Sequence, residues 1–340
     1  MKIKILPLVF LCLLCAWVFQ ISQAQNAYPT IGKIVKNDPR FDELIDKDAK
    51  IEVLSSGFEW SEGPVWVKEG NYLLFSDVPK NTIYKWQTKE GLSIFLNPSG
   101  YTGRLPYSNE PGSNGLSINQ KGELIACEHG DRRVTAMPLS GGGKRTLADN
   151  FEGKRFNSPN DVVQKSDGSY YFTDPPYGLP NWGNHPSREI PYCGVYRLNK
   201  EGKVSLLTDE LPNPNGLAFS PDEKTLYVAQ SNPEKAYIMA YPVQTDGSLG
   251  KGKLFFDCTE WSKKGLRGLP DGLRVDKKGN VFATGPGGVN IFAPDGTWLG
   301  RIDTGEATAN CGFGDDGSML YITADMYLCR IKTKTKGNGF

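Results

Sequence analysis

The sequence predicts an all-β chain folded as a six-bladed β-propeller, with four-stranded blades and the ring closed by an N-terminal strand. Three observations predict it. One short phrase recurs six times: a polar residue opens an apolar run, a tight turn follows, and a second apolar run comes back. Between these phrases lie further short apolar runs separated by Gly, Asp and Asn turns. Gly and Pro stand at 39 and 23 of 340 residues, which suits a chain that turns often.

In chain order, Lys2 and Lys4 precede an apolar stretch from Ile5 to Phe19, and Ser22-Gln23-Ala24 fits a small-x-small cleavage site. Residues 1–24 therefore read as a secretory signal peptide. The apolar stretch is shorter than the roughly 20 residues a membrane span needs. Export to a periplasm or to the outside is expected, with no membrane partner once the signal is removed. Its loss takes two Lys from 39 basic and 38 acidic residues, so the remainder is near neutral. That balance argues against a nucleic-acid partner. Cys127, Cys193, Cys258, Cys311 and Cys329 remain, with no C-x-x-C spacing, so a zinc ribbon is not expected.

Residues 25–50 read as a polar leader that wraps the domain, with a short helix near Phe41 to Ile45. The propeller domain is expected over residues 51–340, starting with a strand at Ile51-Glu52-Val53-Leu54. The six phrases then open at Glu62, Asn114, Asn160, Asn215, Asp271 and Asn310, at intervals of 39 to 56 residues. Each unit adds two outer strands, as at Thr82–Trp86 and Leu92–Phe95. The last unit shows three strands, ending near Tyr327–Ile331. The Ile51 strand supplies the fourth, and closure removes the open sheet edges.

In a meander blade the innermost strand lines the central channel. The six opening residues should therefore ring one mouth, together with Asp77, Glu128, His129, Asp174, Ser231 and Pro286 at the ends of the second strands. Asn-Gly and Asp-Gly favour turns, but Glu62 has no such preference and Asn160 has no glycine after it. Carboxylate and amide oxygens in a ring suit a hard divalent cation. Calcium is favoured, with magnesium or zinc left open. With two His residues outside the signal segment, a His-rich site is excluded by count.

The phrases SEGPVW, ACEHGDRRV, NSPNDVV, YFTDPPYGL, PNGLAFSPDEKTLYV and LPDGLRVDKKGNVFATGPGGV resemble the SMP-30/gluconolactonase family, in its bacterial gluconolactonase branch. The resemblance runs from about Ile51 to Ile331. It implies a six-bladed propeller with a divalent metal, usually calcium, in the channel. It implies Glu62, Asn215 and Asp271 as metal ligands, Asn160 as a ligand to metal or substrate, and Asp271 as catalytic acid/base. Some members carry Arg two residues before Asn160. Here Ser158 stands in that place, so the sugar contacts are expected to differ.

The expected reaction is hydrolysis of an aldonolactone, such as glucono-1,5-lactone, with the metal polarising the carbonyl and Asp271 handling the proton. His129 is the rival base, with a supporting role behind the metal as its alternative. Asn114 is a candidate for substrate hydroxyls, and Asn310 reads as structural. Two long insertions face the same mouth: residues 97–113, with Tyr101, Arg104 and Tyr107, and residues 175–192, with Tyr177, Trp182 and His185. The expected partner is a small sugar lactone, and the expected state a monomer or dimer. Two other readings stay open: a different lactonase or a phosphotriesterase on the same metal site, and a non-catalytic ligand-binding propeller.

Overall fold

The computed structural model describes residues 28–340. The stretch read above as a signal peptide, with Cys12 and Cys15, lies outside the described residues. Six antiparallel sheets follow one another around a ring. Their innermost strands are Ser61–Val67, Ser113–Ile118, Val162–Gln164, Pro214–Phe219, Leu273–Val275 and Thr308–Gly314. Each of these neighbours the next, and the sixth neighbours the first, so the ring is closed. The architecture is the six-bladed propeller that the sequence predicts. Blade 6 takes its fourth strand, Ile51–Ser56, from the N-terminal side, paired with Tyr327–Lys332.

The leader residues extend two blades further. Thr30–Ile31 pairs with the Ile51 strand of blade 6, and Lys33–Lys36 pairs with Trp298–Asp303 of blade 5. Gly32 makes the crossing between them at φ 66°, where a Cβ would fall 2.0 Å from the Asp303 carbonyl oxygen. A 3-10 turn at Pro39–Glu43 follows. Phe41, Leu44 and Ile45 are buried in the cluster shared by blades 5 and 6. Phe41→Ala is therefore expected to cost about 3–5 kcal/mol of stability. The check is the denaturation midpoint, which should fall without loss of the native circular dichroism spectrum.

The channel mouth is shaped by one repeated irregularity. The register of the innermost strand shifts just past its opening residue in blades 1, 2 and 4, and just before it in blade 6. A bulge of this kind re-aims a side chain and disturbs the ladder locally. The glycines after the opening residues serve close approach between blades, and they do not sit in turns. A Cβ at Gly115 would lie 2.6 Å from the Asn160 carbonyl oxygen, and one at Gly216 would lie 2.2 Å from that of Asp271. Neighbouring innermost strands touch backbone to backbone, so the polar side chains beside them are pressed toward the axis.

Apolar clusters fill the gaps between successive blades, for example Phe156, Phe172 and Tyr196 of blade 3 with Ile125 and Val134 of blade 2. All five cysteines among the described residues are free and buried. Among those residues no helix is long and apolar enough to cross a membrane.

Candidate active site

A cavity of about 420 Å³ opens at the mouth where the innermost strands begin. Its volume falls within the roughly 300–1,000 Å³ usual for small-molecule sites. Glu62, Asn114, Asn160, Asn215 and Asp271 line it, with Trp60, Glu110, Tyr177, Trp182, Ser231, Leu269 and Thr308 completing the wall. Two other hollows are larger, about 540 and 580 Å³, but neither is lined by a buried carboxylate. Chemistry, not size, marks the site.

Each polar group on the floor has a definite setting. Glu62 is buried; its Oε2 accepts from Asn310 Nδ2 at 3.0 Å and from the Gly63 amide. Asn310 is occupied at both ends, since its Oδ1 accepts from the Cys311 amide at 2.9 Å. It holds Glu62 and does not line the cavity. Asn215 Nδ2 donates to Ser231 Oγ at 3.0 Å, and Ser231 in turn donates to the Pro270 carbonyl oxygen. That chain fixes the Asn215 amide with its Nδ2 spent. Asn160 Oδ1 and Asp271 Oδ1 are buried and have no hydrogen-bond partner.

The electrostatics are crowded. Burial, then the charge of Asp161, pushes the Glu62 carboxyl up to about 7. Burial, then Glu62, Asp161 and Glu110, holds Asp271 well above the usual carboxylate range. Asp161 follows Asn160 directly, is buried, and has Arg274 at 4.0 Å as its nearest cation. Several buried or half-buried acids thus crowd one mouth with Arg274 as the cation nearest to Asp161, an arrangement that favours binding of a cation.

The second-strand ends divide. Ser231 reaches the cavity, but Asp77 accepts from the Glu59 and Trp60 amides, each at 3.2 Å. Asp174 accepts from the Asn157 and Ser158 amides, each at 2.8 Å. Glu128 binds Arg133, Lys144 and Thr135. These three tie down the approach to the innermost strand or the blade edge. His129 is fully buried beneath Gly178 and is not on the cavity wall. Its Nδ1 donates to the Glu110 carbonyl oxygen at 3.2 Å, and burial lowers its pKa to about 4, so the ring is neutral near pH 7.

Of the insertions, Tyr177 and Trp182 meet edge to face at 5.4 Å on the cavity wall, with Trp182 59% exposed. Tyr101 and Tyr107 stack on each other at 5.2 Å, and His185 bonds Ser187. Ser158 turns away from the cavity. Its Oγ donates to the Pro175 carbonyl oxygen at 2.6 Å and accepts from the Gly178 amide at 2.9 Å, which seats the Tyr177 loop. No Lys or Arg lines the cavity among the described residues.

The family model for the SMP-30/gluconolactonase/LRE-like region matches residues 60–325. The chain belongs to this family. A gluconolactonase of Zymomonas mobilis is 45% identical over 313 residues, covering 91% of this chain and 88% of that protein. The solved structure of a Xanthomonas campestris gluconolactonase superposes with a TM-score of 0.76 at 30% identity, covering 90% of this chain and 98% of the other. A pentonolactonase of Haloferax volcanii is 25% identical over 80% of this chain and 83% of its own length. Within the family, Glu110, Asp161 and Trp60 had no distinguishing mark in this sequence. Glu110 sits in a loop without periodicity, and Asp161 looks like part of the strand it precedes.

Proposed function

We infer that this chain opens an aldonolactone of the glucono-1,5-lactone type by water addition, using a divalent cation held by Glu62, Asn160, Asn215 and Asp271. That the chain is a lactone hydrolase rests on the family and on its gluconolactonase relatives. The observation that carries the rest is the convergence of those four side chains in one cavity, with Asp271 Oδ1 and Asn160 Oδ1 buried and unpartnered. A buried oxygen without a donor costs free energy unless something binds it.

The donor set fits such a cation. It offers oxygens alone, which favours calcium over softer metals. Among the described residues no three His, Cys, Asp or Glu side chains gather as a metal-holding group, so the set rests on two carboxylates and two amides. When bound, the cation supplies Lewis-acid polarisation of the lactone carbonyl. Asn215 holds its place through Ser231, and Glu62 through Asn310. Asp271, ionised once the cation is bound, orients a water and accepts its proton. Asn114 lies on the wall where a sugar hydroxyl could bond, and Trp182 with Tyr177 offers an aromatic face. His129 supports the site from behind the wall through Glu110. The basic, apolar start of the chain supports export as part of this reading.

The test is acid release from glucono-, galactono- and xylonolactone, followed by pH indicator beside an organophosphate triester, before and after chelation. Lactone opening that is lost on chelation and returns with calcium is expected, with the triester inert. Full lactonase activity after verified cation removal would sink the metal reading. Faster triester hydrolysis would shift the substrate class.

A further inference from the structure

Of the carboxyls that line the cavity, the proposed function leaves one unused. Glu110 lies on the loop between blades 1 and 2 and lines the same cavity as Asp271. Six blades in a closed ring put blade 2, which carries its anchor His129, diametrically opposite blade 5, which carries Asp271. The loop is firmly held. The Gly112 amide donates to the Val78 carbonyl oxygen at 2.9 Å, and the His129 and Gly130 amides donate to the Gly112 and Pro111 carbonyl oxygens at 3.1 and 3.0 Å. His129 Nδ1 adds the bond to the Glu110 carbonyl oxygen. Four bonds to two blades fix this short stretch, yet the carboxyl itself has no basic or hydrogen-bonding partner among the described residues. A rigidly mounted carboxyl that the protein does not use for its own structure is free for a ligand.

Opening an aldonolactone needs two proton movements on different sides of the carbonyl. A proton must leave the attacking water. Another must reach the ring oxygen, because an aliphatic alkoxide is a poor leaving group. One carboxyl serving both would have to move between them.

We propose that Glu110 is the acid that protonates the departing ring oxygen, with Asp271 taking the proton of the attacking water. This rests on the aldonolactone reading. The water oxygen bonds to the carbonyl carbon while its proton passes to Asp271. The bond from that carbon to the ring oxygen then breaks, and Glu110 gives its proton to the oxygen, which becomes a hydroxyl. The proton on Asp271 returns to Glu110 through solvent, and the new acid group ionises, so one proton is released per turnover. Glu110 is half-buried, and the partial loss of water around its carboxyl raises it to about 7, so a protonated fraction is present at neutral pH. Asp271 and Tyr177 face it across the cavity, and neutral His129 lies behind it. His129 is a positioning residue in this scheme.

The experiment compares wild type, Glu110→Gln and Glu110→Asp on glucono-1,5-lactone and on an aryl lactone such as dihydrocoumarin, whose phenolate leaves without protonation. Glu110→Gln should lose about 100-fold or more in kcat on the aldonolactone, with KM little changed, and less than about 3-fold on the aryl lactone. Glu110→Asp should recover part of the aldonolactone rate. If the wild type leaves the aryl lactone untouched, the pH profile decides: the alkaline fall in aldonolactone kcat should vanish in Glu110→Gln. Equal losses on both lactones, no loss on either, or an unchanged alkaline limb overturns the proposal. A wild type inert toward every aldonolactone sinks the functional reading and this inference together, whereas an active wild type with an equally active Glu110→Gln sinks this inference alone.

Discussion

Asp271→Asn is expected to slow lactone opening by about 10²- to 10⁴-fold, the range that general acid–base groups contribute. The substitution is nearly isosteric. The backbone bond from the Asp271 amide to the Thr284 carbonyl oxygen does not involve the side chain, so the fold should persist. What changes is chemistry at one atom. The unpartnered Oδ1 can be replaced by an amide oxygen that still faces a cation, but an amide does not accept a proton from water. Loss of a negative charge also weakens cation affinity, so the rate must be read at a cation concentration shown by titration to saturate the variant. A fall in kcat at saturation assigns Asp271 to the proton; a fall that disappears on saturation assigns it to binding alone. A variant as fast as wild type at every cation concentration would remove Asp271 from both roles.

How much of this site could be read from the chain follows from what a repeat encodes. The opening residues Glu62, Asn160, Asn215 and Asp271 were legible because blades share a register and the ring fixes where each innermost strand begins. The same register placed Asp77 and Asp174 at the mouth. It could not show that their carboxylates would be taken up by the amides of residues 59–60 and 157–158. Those bonds depend on how each inter-blade crossing bends, which no periodicity records. Glu110 was invisible for the same reason: its place depends on backbone bonds from Pro111 and Gly112 to Val78, His129 and Gly130, pairs that lie far apart in sequence. Ser158 was legible as a departure from the family pattern. Its consequence was not, since only the fold shows that its hydroxyl seats the 175–178 turn in place of reaching a sugar. A cavity wall without Lys or Arg suits a neutral lactone and gives the anionic product no basic side chain to hold it.

Cation binding should also govern how stability responds to pH, and this can be measured without any substrate. In metal-free protein the Glu62 carboxyl is raised from 4.5 to about 7, and Asp271 is raised as well. A carboxyl whose folded pKa lies above its unfolded value binds more protons in the folded state within that window. Stability then falls as pH rises from about 4.5 to about 7, and levels off above. Glu110 and Asp174, each raised to about 7, act in the same direction. His129, lowered from 6.5 to about 4, acts oppositely: its contribution is present above 6.5 and is lost as pH falls toward 4. A single melting curve therefore mixes the two signs. The comparison of curves with and without calcium separates them, because Asp174 and His129 contribute to both while Glu62 and Asp271 respond to the ion. Bound cation favours their ionised forms and reverses their slope. The stabilisation by calcium should thus grow from pH 4.5 to 7. At 100 times Kd it is worth about 2.7 kcal/mol, or several degrees in Tm. Glu62→Gln should flatten the metal-free slope and remove most of the calcium-induced shift, while leaving the His129 limb below pH 6.5 in place. Parallel curves with and without calcium across this range would mean that these two carboxylates do not hold the ion.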